Sequence, residues 1–208
     1  MGRLVVTSFV TLDGVHQAPG APDEDTSDGF RQGGWTVPFV EEEFGGFAAD
    51  SFSRAGAFLL GRRTYDIFAA YWPKVTDPAH PIAGPLNKLP KYVVSSTLTD
   101  PDWSPTTVLT GELVEEVAAV KERTEGELQV HGSAALARSL FALDLVDALH
   151  LVTFPVVLGA GRRLFGEGFL PTAFRRTGGS VTGTGVSIQT YAPAGRPEYG
   201  AFELPEDA

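Results

Sequence analysis

The stretch Ala57 to Trp72, AFLLGRRTYDIFAAYW, constrains this chain more than any other. Ala57 to Leu60 is an apolar run with the length of a buried strand. Gly61 breaks the run. Tyr65, Phe68, Ala69 and Trp72 then fall at i, i+3, i+4 and i+7, one face of a helix, and Pro73 stops that helix. A strand that passes through glycine straight into a helix is a unit of an α/β fold. The helix start carries free N–H groups and the positive end of the dipole. Arg62, Arg63 and the Thr64 hydroxyl stand beside it, which outlines a phosphate site. The same residues also suit a solvated arginine pair at an ordinary turn.

The rest of the chain continues the alternation. Leu4 to Val10 reads as a buried strand that runs into the turn Asp13-Gly14. Asp13 serves either as the turn former or as a carboxylate facing a cleft. Residues 18–34, rich in Pro, Gly and Asp, read as a long loop of the kind that forms lids. Trp35 closes it, either stacking on a flat ligand ring or folded onto the core edge. A helix is expected from Pro38 to Arg54, with Phe44 and Phe47 on its apolar face. Gly45 and Gly46 weaken it, which suits close packing or a ligand against bare backbone. Glu43 and Asp50 share another face.

Thr76 to Leu89 is a Pro-broken connection, and Lys91 to Ser95 is a strand. Ser95 and Ser96 at its end are placed to hold a phosphate or ribose, or to cap a turn. Thr106 to Leu109 adds a strand, and Leu113, Val117 and Val120 a helix. Leu128 to His131 is a strand followed by Gly132 and Ser133, with Ser133 expected to N-cap a helix striped by Leu136, Leu140 and Leu143. This repeats the strand, glycine and helix-start order, so Gly132, Ser133 and Ala134 form a second candidate phosphate seat. Asp147 to Val157 is a strand interrupted by Pro155. Gly159 and Gly161 belong to GAGRRL, which lacks the third glycine of a Rossmann fingerprint. Phe174 to Gly185 and Val186 to Ala192 read as an antiparallel pair, and Tyr199 to Leu204 as a further strand.

The net charge of −10 argues against nonspecific binding to nucleic acid or to anionic membranes. No apolar run reaches the roughly 18 residues that a membrane span needs. Cysteine is absent, and the N-terminus enters a strand pattern without a signal peptide, which fits the cytoplasm. His16, His80, His131 and His150 are scattered without metal-ligand spacing, so no metal is expected. With no linker or repeat, residues 1–208 are read as one domain.

Taken together, Leu12-Asp13-Gly14, GRRTY at 61–65, Ser95-Ser96, His131-Gly132-Ser133 and LVDALHLVTFPVVLGAGRRLF at 145–165 resemble the dihydrofolate reductase-like family. The nearer branch is that of the riboflavin-biosynthesis reductase (RibD C-terminal) domain. The resemblance implies an α/β fold with a mixed sheet of about eight strands flanked by helices and antiparallel strands at the C-terminal end. It implies NADPH as hydride donor, a small heterocyclic or carbonyl substrate, and a homodimer. Carried over by position, Gly61, Arg62, Arg63 and Thr64 hold the 2′-phosphate side. Ser95 and Ser96 lie near the adenine ribose. Gly132, Ser133 and Ala134 meet the diphosphate, and Gly159 and Gly161 lie beside the cofactor. Asp13 is the catalytic candidate at the substrate end, in a pocket with Trp35, Phe47, Asp50 and Tyr65. Glu43 and Asp50 stand nearest to where folate reductases carry their pteridine-binding acid. Chemical alternatives are a non-catalytic ligand-binding module on the same fold and a structural oligomer without nucleotide.

Overall fold

The computed structural model describes residues 1–202. Eight strands form one sheet. In chain order they are β1 (Arg3–Thr11), β2 (Ala55–Gly61), β3 (Lys91–Val94), β4 (Thr106–Leu109), β5 (Glu127–His131), β6 (Ala148–Phe154), β7 (Phe174–Val181) and β8 (Ser187–Pro193). Their spatial order is β4-β3-β2-β5-β1-β6-β8-β7. The first six are parallel to their neighbours, while β8 pairs antiparallel with both β6 and β7. This is the mixed sheet with antiparallel C-terminal strands that the sequence led us to expect, and β1 is central in it.

Among the described residues, five α-helices cover the faces: α1 (Glu42–Ser53), α2 (Arg62–Tyr71), α3 (Ala83–Lys88), α4 (Leu113–Arg123) and α5 (Ala134–Ala142). Alternate residues of each central strand feed opposite cores, because side chains of a strand point to its two faces in turn. Leu4, Val6, Leu59, Leu128 and Val130 meet Val117 and Val120 of α4 and Leu136 and Leu140 of α5. Phe58, Leu60 and Val93 meet Phe52 of α1, Tyr65 of α2 and Leu86 of α3. Phe9, Phe44, Trp35 and Phe154 form an edge-to-face aromatic group under the start of α1.

Several local expectations change. The connection over residues 76–89 contains α3, with Pro85 as its third residue. Proline is tolerated there because the first-turn N–H groups have no helical acceptor to lose. The helix expected from Pro38 begins only at Glu42, after a 3-10 turn at Val37–Phe39. β6 is not interrupted by Pro155 but ends before it. Gly45 and Gly46 are exposed, and a Cβ on either would meet nothing within 4 Å, so no close packing explains them. Residues 199–202 lie in no strand, and Glu203 and Leu204 lie outside the described residues.

Gly56 marks a tight crossing between β2 and the turn before β5. A Cβ there would lie 1.9 Å from the Glu125 carbonyl oxygen, beside a register shift between Ala55 and Ala57. Gly56→Ala should therefore cost about 1–3 kcal/mol of stability. A urea midpoint equal to that of wild type would refute this.

Candidate functional site

Parallel strands aim their carboxyl ends at one rim, and the loops there collect ligands. Asp13 follows β1, Gly61 to Thr64 follow β2, Ser95 and Ser96 follow β3, Gly132 to Ala134 follow β5, and Gly159 and Gly161 follow β6. The strands β3-β2-β5-β1-β6 are contiguous, so every proposed cofactor residue lies along one edge.

The centre of that edge is a joint between two helix starts. Ser133 sits at the N-cap position of α5 but makes no cap bond, because its backbone is left-handed (φ 50°). Its hydroxyl instead accepts the Gly61 N–H (3.0 Å) and shares a hydrogen bond with Thr64 Oγ1 (2.5 Å). The expected Ser133 cap is thus corrected: the side chain reaches across to α2. No side chain caps α2 either. Two helix N-termini therefore lie side by side with first-turn amides free of side-chain acceptors. Gly61 must be glycine for this approach, since a Cβ would come within 2.9 Å of Ser133 Oγ. At Gly132, also left-handed (φ 61°), a Cβ would meet only Thr64 Oγ1 at 3.7 Å. Bare backbone, paired positive dipole ends and two hydroxyls suit a diphosphate.

The arginines divide. Arg62 forks onto Asp66 at 2.8 and 2.9 Å, with 40% of its side chain exposed. Arg63 turns the other way, to Asp25 Oδ2 (3.3 Å) and Ser27 Oγ (3.1 Å). Ser95 Oγ accepts the Thr97 and Leu98 N–H groups, the turn-capping alternative, and Ser96 is exposed.

Asp13 clamps two loops. Its carboxylate accepts Thr11 Oγ1 (2.6 Å), Gly159 N (2.9 Å) and Leu158 N (3.2 Å), and Arg163 Nη2 lies 3.6 Å away. The Thr11 hydroxyl contributes most, burial opposes it, and the Gly159 and Leu158 amides add to it, which brings the carboxyl down to about 2. It is ionised at neutral pH and cannot donate a proton there. Gly161 (φ 108°) approaches Phe30 and Val15, where a Cβ would be only 2.7 and 2.8 Å away.

The expected substrate pocket does not assemble as drawn. Tyr65 is 2% exposed, and its hydroxyl accepts the Trp103 N–H (3.2 Å), so it packs the core. Trp35 is buried, donating to the Gln17 carbonyl (2.8 Å) and meeting Phe154 edge-on, as the core-edge alternative had it. Asp50 is exposed and pairs with Arg54, which also holds Glu127 at the start of β5 (2.9 Å). That places Asp50 toward the amino end of the strands, away from the rim. Glu43 accepts the Gly183 N–H (2.8 Å) and so holds the β7–β8 turn. Only Phe47 remains on the wall, half-buried against the His150 ring.

Buried polar residues under α1 went unread in the sequence. Gln129 donates to Ser51 O and Glu127 Oε2 (both 2.7 Å), and its Oε1 faces His131 Nε2 (3.0 Å). Phe52 stacks on the His131 ring at 4.6 Å. His150 Nδ1 lies 3.3 Å from Thr7 Oγ1. Burial lowers both histidines, His131 to about 3, so both are neutral at pH 7. A buried His among apolar strand residues carries no sequence signal of its own. Among the described residues, no group of three or more His, Asp or Glu could hold a metal, and no helix is long and apolar enough to cross a membrane.

Comparison with known proteins agrees with this architecture. The uncharacterized protein YyaP of Bacillus subtilis (strain 168) is 29% identical over 165 residues, covering 78% of this chain and 80% of that protein. A solved protein of Shewanella sp. PV-4, provisionally named for riboflavin biosynthesis, superposes with a TM-score of 0.65 at 20% identity, over 92% of this chain and 99% of that one. Dihydrofolate reductase from Enterococcus faecalis, solved with NADP(H) and RAB-propyl, gives a TM-score of 0.56 at 16% identity, over 92% and 96% of the two chains. At such identities the structures share the dihydrofolate reductase-like fold. The RibD C-terminal domain family matches residues 3–188, and the chain belongs to that family.

Proposed function

We propose that the chain is an NADPH-dependent reductase that passes hydride to a small heterocyclic or carbonyl compound. One observation carries this reading. Ser133 stitches together two uncapped helix N-termini on adjacent parallel strands, leaving their first-turn amides open at the carboxyl rim. Family membership and the Enterococcus enzyme solved with NADP(H) support it.

NADPH, when bound, supplies the hydride. In this reading Gly132, Ser133 and Ala134 hold the diphosphate with the first turn of α2. Arg62 meets the 2′-phosphate, and Ser95 and Ser96 lie by the ribose. The loop at Gly159 closes one side. Asp13 is a positioning residue: its carboxylate fixes the Gly159 amide rather than moving a proton. The substrate lies against Phe47, Phe9 and neutral His150.

NADPH oxidation against a panel of small carbonyl and heterocyclic compounds tests the reading. Asp13→Asn should lower kcat by about tenfold to a hundredfold, since small misplacements of reacting groups cost that much. NADPH affinity should change far less. Equal losses in both, or an unchanged kcat, would remove the assigned role.

One feature favours a second reading, a nucleotide-binding module without turnover. α1 presents neither Glu43 nor Asp50 to the pocket: Glu43 holds the β7–β8 turn and Asp50 pairs with Arg54 at the amino end of the strands. NADPH binding without oxidation across the panel would select it.

A further inference from the structure

Four arginines, two at the start of α2 and two in the loop after β6, each meet a carboxylate of the chain. Arg62 holds Asp66, and Arg163 lies by Asp13. Arg63 of α2 and Arg162 of the loop after β6 converge on a single oxygen, Asp25 Oδ2. Ser27 Oγ fills the space between them, 3.1 Å from Arg63 Nη1 and 2.5 Å from Arg162 Nη1, and donates to Asp25 Oδ1 (2.5 Å). Arg162 also meets Asp28 (3.0 Å). Two guanidinium groups around one anionic oxygen are what proteins offer to phosphates and carboxylates. Here the anion is part of the chain. Burial acts to raise the Asp25 carboxyl, but the Ser27 bonds and both arginines outweigh it and leave it below the usual range.

The loop that carries Asp25 is held from beneath. Gln17, 2% exposed, donates to Asp25 O (3.2 Å) and Ser27 O (3.1 Å), and its Oε1 accepts the Arg162 N–H (3.1 Å). The Trp35 indole donates to the Gln17 carbonyl. An incoming anion would have to replace Asp25 against this buried net, whereas the Arg62–Asp66 pair is at the surface and open to exchange. The wall under α1 adds no free cation: Phe9, Phe44 and Phe47 stand beside neutral His150.

We infer that Asp25 is a built-in counter-anion that shuts the Arg63–Arg162 seat to ligand phosphates and carboxylates, so that the substrate is an uncharged compound without a phosphoryl group. The closed seat stands on the geometry alone, and the substrate class rests on the reductase reading.

Inorganic phosphate is the probe. It is titrated by calorimetry, at constant ionic strength, into wild type, Arg162→Ala, Asp25→Ala and the double variant, each checked by circular dichroism. Wild type and Arg162→Ala should bind phosphate alike, at the helix starts or not at all. Asp25→Ala should bind at least about tenfold tighter than wild type, the weight of one charge-assisted contact. Adding Arg162→Ala should erase that gain. Asp25→Asn, equal in shape, replaces the alanine variant if that one does not fold. Phosphate binding to wild type that Arg162→Ala weakens would overturn the closed seat, as would the absence of any gain in both Asp25 variants. A phosphorylated substrate with a higher kcat/KM than its dephosphorylated form would overturn the substrate class. The phosphate titrations use no dinucleotide, so their failure is distinct from failure of NADPH to bind.

Discussion

Taking the protein from pH 7 to pH 4 should remove about 3 kcal/mol of folding stability through His131 alone. Burial, with a smaller push from His150, lowers its pKa from 6.5 to about 3 in the folded chain. Between those values the unfolded chain takes up a proton that the folded chain refuses. The stability is therefore complete above about 6.5 and drains away as the pH falls toward 3. The cause is local: Nε2 faces the Gln129 oxygen and Phe52 covers the ring, so a charged imidazole would lose most of its hydration there. Urea midpoints of wild type and His131→Gln, measured from pH 7 to 4, isolate this share from that of the carboxylates. Parallel curves for the two proteins would sink the prediction.

Arg62→Ala should weaken NADPH by about tenfold to a hundredfold and leave NADH nearly unchanged, because a hydrogen bond to a charged group contributes about 1.5–3 kcal/mol. The two dinucleotides differ by one 2′-phosphate. A chain of net charge −10 repels that group over most of its surface, so discrimination needs a local cation. Arg63 is engaged by Asp25 and Ser27, which leaves Arg62. Its bond to Asp66 is half-exposed and therefore weak enough to be exchanged. Tryptophan fluorescence quenching measures both affinities. The reading is falsified if the variant loses both dinucleotides equally, or if wild type binds them alike.

The elements were legible where local chemistry decides them. β2 and α2 follow from an apolar run, a glycine and an i, i+3, i+4, i+7 stripe, and the carboxyl rim follows from strand order. Contacts between distant residues were not legible. Ser133 precedes an apolar stripe as an N-cap should, yet its hydroxyl bonds Gly61, 72 residues upstream. Asp50 shares a helix face with Glu43, but periodicity gives a face and not which end of the sheet a residue occupies. Tyr65 was placed at the pocket because its helix adjoins the cleft, whereas its place on the apolar stripe with Phe68, Ala69 and Trp72 turns it into the core. Asp25 was hidden in a loop, where a carboxylate has no pattern at all.

The position of β1 governs how this chain is made. Its pairing partners are β5, in register from Arg3↔Glu127, and β6, from Val5↔Ala148. Nothing within the first hundred residues can stand beside it. During synthesis β1 therefore waits, apolar and unpaired, until β5, more than a hundred residues later, has left the ribosome. The Ser133–Gly61 joint closes in the same late step, since it needs β5 beside β2. Such a contact order slows folding and lengthens exposure to aggregation. Truncations that end before residue 148 should accumulate as chaperone clients, not as native-like domains.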